Sequence, residues 1–338
     1  MRPATRTSRL KVVAVLAFVF TVSLSNALSS LSIPLPDTFP SPSNTFTTAS
    51  GLPVCRYALG GAARSTQPET LPSQYFDWLL NAENSSGKKQ SEFPFGAPFF
   101  FYYNPHRYPD FLSGIQALCC QSREQRENLF IASGGTERSP AEMEQRLQDA
   151  LQKCGGEYLD LFVLEYVCSY EWKRSDLHDA MAQAQEWKRQ GLVRHVGAST
   201  HSHEVGALLA AEDAIETVML RYSMSHKDAA ERLSFPACAQ YDKPVLAFTT
   251  TRWNRLQDGH HEWDDDAPST GDCLSFALQS PLVECILHSA RDEEELEEAL
   301  MGFHQSMSKE KVDQWRSYGD LDWNSGDGFD EYPEEREE

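Results

Sequence analysis

A nucleic acid or an anionic bilayer needs a basic face, and this chain has little to build one from. Its 30 Lys and Arg stand against 50 Asp and Glu, a formal charge of −20 over 338 residues. Such a surface repels polyanions, so neither partner is expected of the mature chain. No C-x-x-C occurs, and the 8 cysteines of so long a chain make no disulfide framework. Adjacent Cys119 and Cys120 on one expected helix pair poorly with each other, so the thiols read as buried or idle in a reducing compartment. Metal-ligand spacing is missing as well. His260 and His261 stand beside Glu262, Asp264, Asp265 and Asp266, but on a loop without a rigid element, so no metal is assigned.

The ends differ in composition from the middle. Arg2, Arg6, Arg9 and Lys11 precede an apolar run from Val12 to Leu24, followed by the small-x-Ala pattern Ser25-Asn26-Ala27, which reads as a secretory signal. That run is too short to span a bilayer comfortably. Residues 28–50 are rich in Ser, Thr and Pro with only Asp37 acidic, like a transit peptide appended to a signal peptide. Delivery to a plastid (chloroplast) bounded by extra membranes is expected, with plain secretion as the rival reading; the sequon Asn84-Ser85-Ser86 matters only on export. From Gly319 to Glu338 nine acids face Arg336 among three glycines and Pro333, too little apolar surface to order itself. The division expected is a leader (1–52), a folded body (53–304) and an acidic tail without packed order (305–338).

The body is organised around residues 139–200. Ser139 and Glu142 have the spacing of a capping box, with Pro140 in the first turn. Met143, Leu147, Ala150, Leu151 and Cys154 then stripe one helical face up to Gly155-Gly156. The nearly continuous apolar run from Leu159 to Val167 is a strand covered on both faces. Leu177, Met181, Ala184 and Trp187 stripe a second helix, and Arg194 to Ser199 form the next strand. Such alternation requires right-handed crossovers and a parallel sheet.

The same alternation extends both ways. Strands are expected at Leu52–Leu59, Phe99–Tyr103 and Leu129–Ala132 before this stretch, and at Thr217–Tyr222, Pro244–Thr249 and Val283–Leu287 after it, each followed by a helix. One helix, 227–241, is interrupted by Pro236. Eight strand-helix units make an α/β fold of the TIM (β/α)8 type, whose chemistry sits at the C-terminal ends of the parallel strands.

Five segments carry a resemblance: Leu129-Phe130-Ile131-Ala132, the Ser139 helix start, Tyr158 to Leu164, Gly191 to Ser199 and Pro244 to Phe248. Together, in this order, the chain resembles the aldo-keto reductases, which implies an NADP(H)-dependent oxidoreductase acting on a small-molecule carbonyl. That family's Asp, Tyr, Lys and His map unevenly. Tyr108 matches the catalytic Tyr, Tyr103 replaces Asp, Ser133-Gly134 stands where Thr-Lys is usual, and Glu165 takes the His position. A Tyr near pKa 10 protonates substrate well at neutral pH only beside a cation, and Gly134 removes it, at a cost of roughly two to four decades in rate. On the cofactor side the resemblance assigns Ser199 to the nicotinamide carboxamide, Thr200 to the Asn beside it, and Phe248 to the stacking ring. Ser289, Arg291 and Glu298 fall in the phosphate and adenosine segment, with Arg291 able to grip a 2′-phosphate. The acids from Asp292 to Glu295 weaken anion binding there.

Some residues lie outside that pattern. Glu165 shares inward parity with Leu161 and Val163, and needs a cation; Arg221, inward with Met219, is the partner expected. His226 follows the sixth strand, His201 and His203 the fifth, and Thr249 to Trp253 the seventh. Three readings are open: a reductase with a rebuilt acid site in which Tyr108 donates the proton while Glu165 and Arg221 orient substrate, a catalytically silent barrel that binds a nucleotide, ligand or protein, and a hydrolase or isomerase using Glu165 with His226.

Overall fold

The computed structural model describes residues 45–47, 51–61, 67–81, 95–102, 108–154, 156–321 and 323. The leader up to Asn44, Asn84, Tyr103 and most of the acidic C-terminus therefore lie outside the described residues. Eight parallel strands close a barrel: β1 Pro53–Leu59, β2 Ala97–Tyr102, β3 Phe130–Gly135, β4 Leu159–Leu164, β5 Val193–Thr200, β6 Thr217–Arg221, β7 Val245–Phe248 and β8 Val283–His288. The circle shuts where Tyr57, Ala58 and Leu59 pair with Ile286, Leu287 and His288. A short strand, Thr45–Thr47, runs antiparallel to the start of β1. The expected TIM (β/α)8 barrel is what the chain forms.

Alternate residues of each strand divide between two cores, as the period of 2 requires. Val54, Ala58, Phe99, Phe101, Leu161 and Val163 belong to the cluster inside the barrel. Their neighbours Tyr57, Phe100, Phe162 and Leu164 join the layer between strands and helices. Each large apolar side chain fully buried in this way contributes about 1.5–3 kcal/mol. A basic residue takes part in closing the circle: Arg56 is buried and donates to the carbonyls of Val283 and Glu284, tying β1 to β8.

The helices that return the chain are α1 Leu71–Asn81, α2 Pro109–Cys119, α3 Pro140–Lys153, α4 Ser175–Gln190 and α5 His203–Ala210. They continue with α6 (227–240), α7 Thr270–Leu278 and α8 Glu293–Gly302. Pro236 does not interrupt α6. The turn Ala230–Ser234 widens to a π-helix just before it, which accommodates the missing amide and the ring's clash with the preceding turn. The Ser139 capping box is also not formed: the hydroxyl stands exposed and bonds no amide, leaving those donors to water. A full box forms instead at α7, where Ser269 and Asp272 cap each other.

The tail begins later than expected. Lys309–Gly319 is a further helix, α9, capped by Ser308 and packed through Val312, Trp315 and Tyr318. Its partners are distant in sequence: the Trp315 indole donates to Asp272, the Tyr318 hydroxyl to the Leu256 carbonyl, and Arg316 makes a bidentate pair with Glu231 at 2.8 and 2.7 Å. No local pattern announces those contacts, and the charges interspersed along the helix, Lys309, Glu310, Lys311, Asp313 and Arg316, hid its stripe. Gly319 is required there because a Cβ would collide with the Met224 carbonyl. Among the described residues no helix is long and apolar enough to cross a membrane.

Candidate active site at the mouth of the barrel

The strands' C-terminal ends place three groups of side chains around the rim. The first lies at β1 and β8. Tyr108, the residue before α2, lays its ring against Gly61, where a Cβ would stand 2.8 Å from the ring. Ser289 donates to the Gly61 carbonyl at 2.9 Å, and buried His288 meets the Tyr57 hydroxyl at 3.0 Å, its pKa held down to about 4 by burial despite Glu295.

The second group lies at β3 and β4, where the missing lysine is explained by backbone. Gly134 pairs with Val163, and a Cβ there would collide with the Val163 carbonyl oxygen. The same Cβ would sit 3.1 Å from Glu165 Oε1, so the Glu165 carboxyl fills the space beside Gly134. Burial raises its pKa from the usual 4.5 to about 7; Arg146 pulls it down, Glu137 pushes it up and Arg138 pulls it down. Arg146 is itself paired with Glu137 at 3.0 Å, and Arg138 with Glu171 at 3.1 Å. Both guanidiniums are thus largely spent before they reach Glu165, which is why desolvation prevails. Arg138 also donates to the Glu165 carbonyl at 2.7 Å, and Glu171 accepts from the Cys168 amide at 2.8 Å, fixing the loop after β4.

The third group lies at β5 to β7. Arg221 donates to His201 Nδ1 at 2.7 Å and stands 5.7 Å from the centre of the Trp253 ring. The expected pairing of Arg221 with Glu165 is therefore corrected: Arg221 turns toward β5, and the cations acting on Glu165 are Arg146 and Arg138. A neutral imidazole is the acceptor Arg221 needs, and burial with the nearby Arg221 and His226 holds His201 down at about 3. His203, bonded to the Ser234 hydroxyl at 3.0 Å, is held at about 4 by burial, His226 and Arg221. His226 contacts the Ser223 hydroxyl at 3.0 Å. The His201 ring packs on Tyr166 at 4.4 Å and on Phe248 at 5.4 Å.

Sequence reasoning undervalued the backbone strain here. Tyr166 (φ 59), Thr249 (φ 59), Arg252 (φ 51), Trp253 (φ 55) and Asn254 (φ 68) all occupy the left-handed region. Such residues cost on the order of 1–3 kcal/mol each and gather at functional sites. The loop after β7 is pinned by α9, through Tyr318 to Leu256, and by Trp323 beyond that helix, over whose ring Arg252 lies at 5.9 Å.

The residues assigned to a nicotinamide cofactor divide. The Ser199 hydroxyl accepts from the Tyr166 amide at 2.8 Å, and Phe248 is half-buried on the inner cluster at the rim. Thr200 does not face the mouth: it is fully buried, its hydroxyl accepts from the Ser202 amide, and its methyl faces Gly206 of α5. The physical reason is parity, since Ser199 and Thr200 project to opposite sides of β5. Glu298 caps α7 by accepting from the Thr270 amide at 3.1 Å. Arg291, 58% exposed at its side chain, grips Glu295 through both its guanidinium and its own amide, the latter at 2.8 Å. A carboxylate of the chain thus occupies the Arg291 donors at the start of α8, and an anion bound there would have to displace Glu295. An exposed pair of this kind is worth only about 0–1 kcal/mol. Of the residues assigned to an NADP-type group, Ser199 and Phe248 stand at the rim where they could hold the nicotinamide end, Thr200 does not, and Arg291 could serve the phosphate end only after that displacement.

Open space alone does not locate the site. A cavity of about 710 Å³ opens at the opposite end, on the barrel floor, lined by Phe99, Phe130, Leu161, His195, Glu216 and Leu246 among others. Among the described residues no three His, Cys, Asp or Glu side chains gather at metal-binding spacing.

The Aldo/keto reductase family model matches residues 111–270. Aldo-keto reductase AKR11C1 from Bacillus halodurans superposes in its holo form with TM-score 0.61 at 14% identity, covering 82% of this chain and 96% of that one. Its apo form gives TM-score 0.60 at the same identity and coverage. A thermostable aldo-keto reductase, Tm1743, with the inhibitor epalrestat, gives TM-score 0.58 at 18% identity, covering 81% of this chain and 98% of that one. At such identities the likeness shows the fold. No match to a curated protein was found.

Proposed function

We propose, from the match of the Aldo/keto reductase family model to residues 111–270, that the chain is an NADP(H)-dependent oxidoreductase reducing a small carbonyl compound or a related molecule, with Glu165 holding the proton of a rebuilt site. The observation that carries this is the placement of Glu165. It follows directly on the end of β4 at the rim, with its carboxyl beside Gly134 and a pKa raised by burial to about 7. A group titrating near the working pH is the best placed to give and retake a proton. When bound, the nicotinamide supplies a hydride. Ser199 and Phe248 would hold that ring, and Arg291 the 2′-phosphate. Arg221, bonded to His201, would orient an oxygen of the substrate; Trp253 stands beside it at 45% exposure and would screen water. Tyr108 remains at the β1 rim as a second hydroxyl.

The alternative, a barrel that binds a nucleotide or other ligand without turnover, is favoured by one observation: the strand spacing at Gly134 leaves no room for the family's lysine. A thermal-shift titration separates the readings, since a ligand at a hundredfold excess over its Kd stabilises the fold by about 2.7 kcal/mol. NADPH is expected to shift the melt more than NADH, and Arg291→Ala to erase that difference while sparing the NADH response. No shift with either nucleotide at millimolar concentration would refute the oxidoreductase reading. Shifts without turnover of any aldehyde or ketone would leave the silent barrel. Plastid delivery, the other part of the reading, is supported by the acid-poor residues 28–50, and fusion of residues 1–52 to a fluorescent protein tests it.

A further inference from the structure

Seven of the eight cysteines are buried, and the exposed one is Cys120. It lies in a setting that the chemistry of the mouth does not use. Helix α2 ends at Cys119 with Cys120 as its cap, and helix α3 ends at Lys153 with Cys154 as its cap. The two helix ends meet. The Cys120 sulfur contacts the Lys153 carbonyl at 3.8 Å, one residue from Cys154. The Cys119 and Cys154 thiols are both buried and near enough that Cys119 raises the pKa of Cys154. Arg126, buried and tied to the Leu129 and Tyr158 carbonyls, brings its guanidinium to the same place and offsets the negative ends of the two helices, while Cys119 and burial push the Cys154 thiol well up, so that it keeps its proton and suits the resolving and not the peroxide-attacking role.

We propose that Cys119, Cys120 and Cys154 form a peroxide-reactive thiol site, in which exposed Cys120 is oxidised first and Cys154 resolves it into a disulfide that joins α2 to α3. The steps balance with a hydroperoxide as the oxidant. The Cys120 thiolate attacks the outer peroxide oxygen, the O–O bond breaks, and sulfenic acid forms as the peroxide is reduced to an alcohol or water. The Cys154 sulfur then attacks the Cys120 sulfur, the S–O bond breaks, and the hydroxyl leaves as water with the Cys154 proton. Cys119, also near Cys154, can exchange into the bridge and release Cys120 again. Vicinal Cys119 and Cys120 need not pair with each other, because the partner comes from the next helix. The exposed thiol provides access, and the buried pair keeps the product from further oxidation.

The full chain, treated with a few equivalents of hydrogen peroxide, blocked and digested without reduction, should yield one peptide pair linking Cys154 to the segment that holds Cys119 and Cys120. Dithiothreitol should reverse it. Cys120→Ser, an exposed replacement that leaves the core untouched, should slow the cross-link at least tenfold. Cross-linking at the parental rate in Cys120→Ser would overturn the assigned order of oxidation. Recovery of Cys120 as sulfinic or sulfonic acid with Cys154 still free would overturn the proposal, as would full recovery of all three thiols.

Discussion

Asp160, near the start of β4, and Glu165, just past its end, stand five residues apart and find opposite surroundings. Asp160 is at the floor end with outward parity. Its carboxylate accepts from Arg126 at 3.1 Å, Arg194 at 3.0 Å and the Ile131 amide at 2.9 Å, while Tyr158 lies under both guanidiniums. Glu165 is at the rim with inward parity, and among the described residues no hydrogen bond to its carboxylate is found, the nearby Arg138 and Arg146 being committed to Glu171 and Glu137. Burial is common to both acids. The difference is partners, and it separates a carboxylate that holds structure from a carboxyl that keeps its proton near neutrality.

Removing the partnered acid should have the largest effect. Asp160→Ala leaves buried Arg126 without its counter-charge and the Ile131 amide unpaired, and should cost about 3–5 kcal/mol in a urea melt. A loss under about 1 kcal/mol would mean the network is not what anchors β3, β4 and β5.

The unpartnered acid should behave in the opposite sense. Its folded pKa of about 7 lies above the usual 4.5, so the folded state binds more protons between those values and stability falls as pH rises through them. Glu165→Gln should be more stable than the parent at pH 8, by at most about 3 kcal/mol after allowing for partial exposure, and equal to it below pH 4.5. Melts of both proteins across that range provide the check. His201, His203 and His288 run the other way, their folded values of about 3, 4 and 4 lying below the usual 6.5. Stability they contribute is present above pH 6.5 and is lost as pH falls toward 4, so the parent should weaken on acidification because three imidazoles outweigh one carboxyl.

Smaller still is the effect expected at the glycine between them. Gly134→Ala pushes β3 against the Val163 carbonyl and should cost about 1–3 kcal/mol, with Glu165 displaced and its pH signature reduced. An unchanged melt would show that β3 and β4 have room for a side chain. The smallest change belongs to the exposed α8 pair: Arg291→Ala should alter stability by under about 1 kcal/mol, so that any loss of NADPH preference reports binding alone.

Much of this fold is legible locally. Parity in Leu161, Val163 and Glu165 placed the acid inside the rim, and the apolar runs of eight strands closed as expected because each strand's burial is written every second residue. The parity of β5 equally contained the fate of Thr200, which the resemblance to a family motif concealed. Helix α9 was legible only in part, since its stripe of Val312, Trp315 and Tyr318 lies among charges and its partners, Glu231, Leu256 and Asp272, are far away in the chain.

The sequence by itself determined the barrel, the inward position of Glu165 and Arg221, and the loss of the lysine at Gly134, because periodicity and residue identity need no third dimension. Tertiary structure alone decided which charge meets which. Arg138 and Arg146 go to Glu171 and Glu137, Arg221 to His201, and Arg291 to Glu295. Charge pairing depends on distances of a few ångströms between segments that are remote in the chain, and burial multiplies its consequences, so the same glutamate can be a carboxylate or a proton store depending on neighbours the sequence does not place.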